Sequence, residues 1–342
     1  MQIFGVQATG RMGRALLVLM LVLVLAMGMM SSTRAAEARA SAPPAKAHVY
    51  SHNGQIVFDR VSADGEAIIT SNPDGSGQHP LGVGGCCADW SPDGSRLALA
   101  GPAGWPTPDG RIGTAIVNPD GSGYHVLPIP VAGLNLGCFP WSPNGKRLAC
   151  SGWDDNDPSR SGVYTVRSSD GGGLVRLAKN PYGGIDDPGD YSPDGSQIVF
   201  VRENPNLAEG HNKALFVVDT NGSRSRQITR WGQGGCCTAS WSPDGRWILF
   251  DAPAPDKHAL FVVHPNGDGL HKIPLRTGES WYDAFEPVWS PNGKHIAFSM
   301  YLPSLGQDDI FTVRANGTGL VQVTNTPDHE GQVDWGRHQL DH

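Results

Sequence analysis

One pentapeptide turn recurs through this chain at a nearly constant interval, and that interval leaves few architectures open. Trp90-Ser91-Pro92-Asp93-Gly94 returns as Trp141-Ser142-Pro143-Asn144-Gly145 and Tyr191-Ser192-Pro193-Asp194-Gly195. It returns again as Trp241-Ser242-Pro243-Asp244-Gly245 and Trp289-Ser290-Pro291-Asn292-Gly293. Ser51-His52-Asn53-Gly54 is a degenerate first copy, and Trp335-Gly336 closes the series without its turn. The aromatic positions 90, 141, 191, 241, 289 and 335 are spaced by 51, 50, 50, 48 and 46 residues, the length of one four-stranded propeller blade.

The residue types suit that reading. Proline presets φ at the first central turn position, Asp or Asn bonds back to the local backbone, and glycine accepts the positive φ that follows. After every turn comes a short apolar run, such as Ile56-Val57-Phe58, Leu97-Ala98-Leu99, Leu148-Ala149-Cys150 or Ile198-Val199-Phe200, which reads as a strand. A second turn falls about 25–30 residues after the first, as in Asn72-Pro73-Asp74-Gly75, Asn118-Pro119-Asp120-Gly121 and Pro265-Asn266-Gly267. With 45 Gly and 27 Pro in 342 residues, long helices are disfavoured. The expected fold is all-β: six blades of four antiparallel strands.

The paired Trp-Ser-Pro-Asp-Gly and Asn-Pro-Asp-Gly turns resemble the TolB-like, WD-like propeller repeat over about residues 48–338. The resemblance implies a ring closed by pairing the first and last strands in one blade, with Val333-Asp334-Trp335 as the inner strand of the blade that starts at Ser51. Members of this family that bind envelope proteins carry an α/β domain before the propeller. Here fewer than ten residues separate the leader from the first strand, so that domain is not expected. Nor is the α/β-hydrolase domain that accompanies the related propellers of prolyl-oligopeptidase-type enzymes.

Residues 1–40 differ in kind. Arg11 and Arg14 precede an unbroken apolar run from Ala15 to Ala26, and Ala36-Glu37-Ala38 and Ala38-Arg39-Ala40 offer small-x-small cleavage sites. This reads as a secretory signal peptide, its apolar segment being shorter than the ~20 residues a spanning helix needs. The first cysteine is Cys86, so a lipid anchor is not expected. Residues 41–47 form a linker, 48–338 the propeller and 339–342 a tail. Cleavage would remove four basic residues and one acid, moving the net charge from −7 to −10, with 22 basic against 32 acidic side chains. Such an acidic chain is a poor partner for nucleic acid or an anionic membrane. A secreted or periplasmic monomer without stable membrane insertion is expected.

Catalytic motifs are not found. Gly278-Glu279-Ser280-Trp281-Tyr282 lacks the closing glycine of a nucleophile elbow, and His329-Glu330-Gly331 has no second histidine four residues on. His79, His125 and His271 share one repeat position with Val175, Arg226 and Val321, which marks an outer-strand site. The positions that vary just before the aromatic residue are more informative, because inner strands line the channel. These are Asp186 and Asp187; Tyr282, Asp283 and Glu286; and Asp328, His329 and Glu330. Converging carboxylates could hold a divalent cation in the channel, bind a basic peptide, do acid/base chemistry, or stand as solvated loop acids. No cofactor is otherwise expected.

Export would permit disulfides. Cys138 and Cys150 flank the Ser142–Gly145 turn nearly opposite each other and are expected to bond. The pairs Cys86-Cys87 and Cys236-Cys237 share a Gly-Gly-Cys-Cys context three blades apart. Two vicinal disulfides facing each other across the channel mouth are expected, with thiols binding a soft metal as the alternative. The leading functional expectation is a non-catalytic module that presents its channel mouth to a protein, peptide or glycan of the envelope or exterior. The alternative is a propeller enzyme, a metal-assisted lyase or hydrolase using these acids and His329.

Overall fold

The structure is a computed structural model that describes residues 53–63, 65–101, 110–235, 238–254, 257–278 and 281–337. The chain divides into two compact units, 1–43 and 44–342. All described residues lie in the second unit; the expected signal peptide, the 41–47 linker, the 339–342 tail and the Cys236-Cys237 pair fall outside the described residues.

The described residues form six four-stranded antiparallel sheets. Five sheets run in chain order from inner to outer strand, beginning with the inner strands Cys86–Trp90, Asn135–Trp141, Asp186–Tyr191, Ala239–Trp241 and Asp283–Trp289 (blades two to six). In blade one the last strand, His329–Arg337, is the inner strand and pairs with Asn53–Ser62. The expected closure is therefore made, with Trp335 opposite Ile56.

The repeated turn supplies the same bonds in five blades. The Ser91 hydroxyl donates to Asp93 Oδ1 (2.6 Å) and accepts the Arg96 N–H (2.9 Å). Ser142, Ser192, Ser242 and Ser290 repeat both contacts in their own turns. Gly94 sits at φ +69°, which a side chain would resist. The second strand that follows is buried on both faces between neighbouring blades. Phe58, Phe200, Phe250 and Phe298 occupy one repeat position and are fully buried. Blade three has Cys150 at that position, bonded to Cys138 directly opposite it on the inner strand. The cross-strand disulfide thus fills the space that four blades give to a phenylalanine ring and blade two to Leu99.

Apolar clusters join blade to blade, so the core lies between the sheets as well as within them. Val57, Ile68 and Leu81 of blade one pack with Trp90, Leu97 and Leu99 of blade two. Polar groups of the inner strands also link blades: the Trp90 N–H donates to Asp334 (2.8 Å), the Trp241 N–H to Asp190 (2.9 Å) and the Trp289 N–H to Ser240 Oγ (3.3 Å). His79, His125 and His271 stand exposed on outermost strands, as the repeat alignment requires.

Candidate functional site

All six inner strands contribute to one central cavity of about 90 Å³. Cys87 and Asp89, Phe139, Gly189 and Asp190, Thr238 and Ser240, Pro287 and Val288, and Gln332 and Asp334 line it, one group from each blade. A larger depression of about 510 Å³ lies over the outer strands near Ile228, Arg230 and Leu270. Gln227, Thr229, Arg230 and Gln233 line it without a carboxylate, whereas the carboxylates converge on the channel.

Three carboxylates, Asp89, Asp190 and Asp334, occupy the position before the aromatic residue in blades two, four and one. Burial pushes Asp190 up to about 8, against the pull of the Trp241 N–H and with repulsion from Asp334. Burial also raises Asp89 well above the carboxylate range, with repulsion from Asp334 and Asp190 adding to it. Asp334 is raised by burial too, although the N–H groups of Trp90 and Trp335 oppose the shift. Burial thus favours the protonated form of all three carboxyls. A carboxyl whose folded value exceeds its unfolded value stabilises the fold below the unfolded value and loses that contribution as pH rises through the folded one. Stability is expected to fall as pH goes from about 4 to the Asp190 value near 8. Asp190→Asn keeps an acceptor for the Trp241 N–H and removes this charge. Urea unfolding at pH 8 should find it more stable than the parent by on the order of 1–3 kcal/mol, with a flatter pH profile; an unchanged profile would contradict the assignment.

At the face where the inner strands begin, three consecutive blades carry a non-glycine residue at positive φ, three positions before the aromatic: Glu286 (53°), Gln332 (52°) and Cys87 (57°). Such backbone is uncommon away from glycine and clusters at ligand sites. Bulges in the inner strands accompany it. Each of these residues hands its N–H to a carboxylate of the preceding blade. The Glu286 N–H donates to Asp251 (3.4 Å), Gln332 to Glu286 Oε2 (2.6 Å) and Cys87 to Asp59 Oδ2 (2.9 Å). The Gln332 side-chain amide also donates to Glu286 Oε1. Asp59 and Asp251 share one repeat position, the residue after Phe58 and Phe250. Burial, then the neighbouring Glu66 and Glu286 charges, raise Asp59 well above its ordinary value against the Cys87 N–H.

The residues singled out in the sequence divide between this face and the interior. Asp186 is fully buried and held by Arg202 through two bonds (2.8 and 2.6 Å), with Asn180 donating at 2.9 Å. Tyr282 belongs to the apolar cluster between blades five and six, its ring 4.3 Å from Lys257 Nζ. Asp187 remains partly accessible, and burial pushes it up to about 6 against the pull of Lys213. Asp283 accepts the His258 N–H (2.5 Å), and His258 Nδ1 lies 3.2 Å from Asp251. Burial lowers His258, but Asp251 and Asp283 together hold it above the ordinary imidazole value. His329 Nδ1 is 2.9 Å from Asp308. Glu330 is buried and bonded to Arg60 (2.7 Å) and Thr326 (3.1 Å). Asp328 is partly exposed beside Thr326.

Cys86 and Cys87 depart from the expected vicinal bond. Their sulfurs are 3.0 Å apart, about 1 Å beyond a covalent S–S distance, because the bulge and the positive φ at Cys87 turn its side chain into the channel wall beside Asp59. Asp59, Asp251, Gln332 and the three channel carboxylates escaped the sequence reading. Aligning strands by their distance from the turn would have brought Asp59 onto Asp251, and Asp89 onto Asp190 and Asp334.

No protein-family model matches the chain. An uncharacterized protein of Agrobacterium fabrum is 24% identical over 226 residues, which is 62% of this chain and 64% of the relative. The Tol-Pal system protein TolB of Francisella tularensis is 27% identical over 130 residues, 38% of this chain and 29% of the relative. The chain thus spans less than two thirds of either relative. Among solved structures, TolB from Acinetobacter baumannii superposes with a TM-score of 0.62 at 16% identity, covering 83% of this chain and 66% of that one. A putative TolB from Agrobacterium tumefaciens gives 0.55 at 17%, covering 84% and 99%. An oligogalacturonate lyase in complex with manganese gives 0.50 at 16%, covering 81% and 75%. At these identities the likeness is one of fold.

Proposed function

We propose that this TolB-like six-bladed β-propeller is an exported, non-catalytic binding module whose channel-mouth face takes a basic segment of an envelope protein or peptide. The observation that carries the reading is the placement of carboxylates around that mouth. Asp187, Asp283, Asp308 and Asp328 are partly accessible there, while Asp59, Asp251, Glu286 and Glu330 lie buried just behind them. A concave acidic rim raises the local concentration of a cationic partner and orients it.

The groups that acid/base chemistry would use are engaged in holding the ring. Arg202 takes both oxygens of Asp186, Gln332 takes both of Glu286, and Asp308 takes His329 Nδ1. That favours binding over turnover. The family relatives named as TolB point the same way through fold alone, as does the leader for a periplasmic or secreted location.

A photo-crosslinking residue placed at position 187 or 328 in exported protein should give a discrete partner adduct. The same residue at Asn144 or Asp244, on exposed turns of the opposite face, should give none. Adducts from the turn face alone would reject the assignment of the mouth.

A further inference from the structure

Two soft sulfur ligands and one hard carboxylate oxygen meet at the channel wall between blades one and two. The Cys86 and Cys87 sulfurs and an Asp59 carboxylate oxygen all lie within 4.8 Å of one another. Asp59 is only 4% exposed. Its Oδ2 accepts the Cys87 N–H, while Oδ1 is buried with no hydrogen-bond partner among the described residues. Leaving a buried carboxylate oxygen unsatisfied costs about 1–3 kcal/mol or more, so the position calls for a donor or a cation. The nearest guanidinium in sequence, Arg60, is turned away toward Glu330 (2.7 Å) and Gln78 (2.8 Å).

Both cysteines are partly accessible, and Cys87 lines the cavity, so an ion could reach the site from the channel. The left-handed backbone at Cys87 (φ 57°) is what lets two adjacent residues present their sulfurs to the same side. We propose that Asp59, Cys86 and Cys87 form a binding site for a zinc-type divalent cation, with a fourth position open to the channel. Two thiolates and one carboxylate suit the borderline softness of zinc. In a tetrahedral site with metal–sulfur distances of about 2.3 Å and metal–oxygen distances of about 2.0–2.2 Å, the two sulfurs need a separation of about 3.8 Å, wider than the 3.0 Å found. Side-chain rotation at the two cysteines has to open them by about 0.8 Å. Binding one ion displaces the two thiol protons, together with the proton held by the buried Asp59 carboxyl, to solvent.

The test uses the full chain carrying Cys236→Ser and Cys237→Ser, which removes the second cysteine pair, isolated without reductant and titrated with zinc and then cadmium. One equivalent is expected, with a cadmium–thiolate charge-transfer band and pH-dependent proton release. Cys87→Ser should abolish the band. Asp59→Asn keeps an acceptor for the Cys87 N–H and should weaken binding on the order of tenfold or more, the loss that even an outer-shell partner brings. Unfolding midpoints of both variants report whether the fold survives. The proposal is overturned if the isolated chain carries a Cys86–Cys87 disulfide and takes up no metal. It is equally overturned if a folded Asp59→Asn binds as tightly as its parent. Neither result bears on whether the mouth binds a basic partner.

Discussion

Replacing Arg202 by alanine is expected to cost the fold about 3–5 kcal/mol, the penalty for stranding one member of a buried ion pair. Asp186 is fully buried and Arg202 only 5% exposed. Besides the two bonds to Asp186, the guanidinium donates to the Lys179 carbonyl (2.9 Å) and lies 4.7 Å from the centre of the Phe216 ring. Alanine removes all of these and leaves a carboxylate with Asn180 as its remaining side-chain donor. Equilibrium urea unfolding reads the loss directly. The paired change Asp186→Leu with Arg202→Met should recover most of it, because an apolar pair of similar volume escapes the desolvation cost. Equal destabilisation by the single and paired changes would show that packing, rather than the stranded charge, sets the effect.

A chain truncated after Asp328 should lose cooperative folding altogether. The missing strand, His329–Arg337, is the inner strand of blade one. Without it Val333 and Trp335 disappear from the core and Ile56 and Phe58 lose their cover. Four such side chains at about 1.5–3 kcal/mol each rival the whole ~5–15 kcal/mol margin of a typical domain. The edge of Asn53–Ser62 would also be left open to pairing with other chains, and the Trp90 N–H would lose Asp334. Loss of near-ultraviolet dichroism and aggregation on gel filtration are expected. A sharp unfolding transition at the parent midpoint would contradict closure as the source of stability.

The fold was legible because each blade repeats one physical solution. The Ser-Pro-Asp-Gly turn fixes where two strands reverse, and the aromatic residue before it marks the inner strand. Closure by residues 333–335 and the Cys138–Cys150 bond followed from counting along that ruler. The site was legible only in part, because bulges break the count. Asp186 stands opposite Arg202 only after a register shift between Pro188 and Asp190; Gly189 marks that bulge, but it does not say which side chains it brings together. Tyr282 precedes the inner strand yet packs inward against neighbouring apolar residues such as Ala284 and Leu302. Cys87, Glu286 and Gln332 share a left-handed backbone although their side chains have nothing in common. Asp59 and Asp251 each end an apolar run, and that signal gains meaning only when blades one and five are aligned.

The central claim, that the acidic mouth selects a basic partner, is tested most directly by measuring affinity for peptides of graded net charge at low and high salt. The parent chain should favour basic peptides and lose affinity as salt rises. The double change Asp187→Asn with Asp328→Asn removes both charges at nearly constant volume and should weaken that binding by about tenfold, or about 1.4 kcal/mol, without lowering the unfolding midpoint. Affinity that ignores peptide charge, or a double variant that binds basic peptides as well as its parent, would contradict the account.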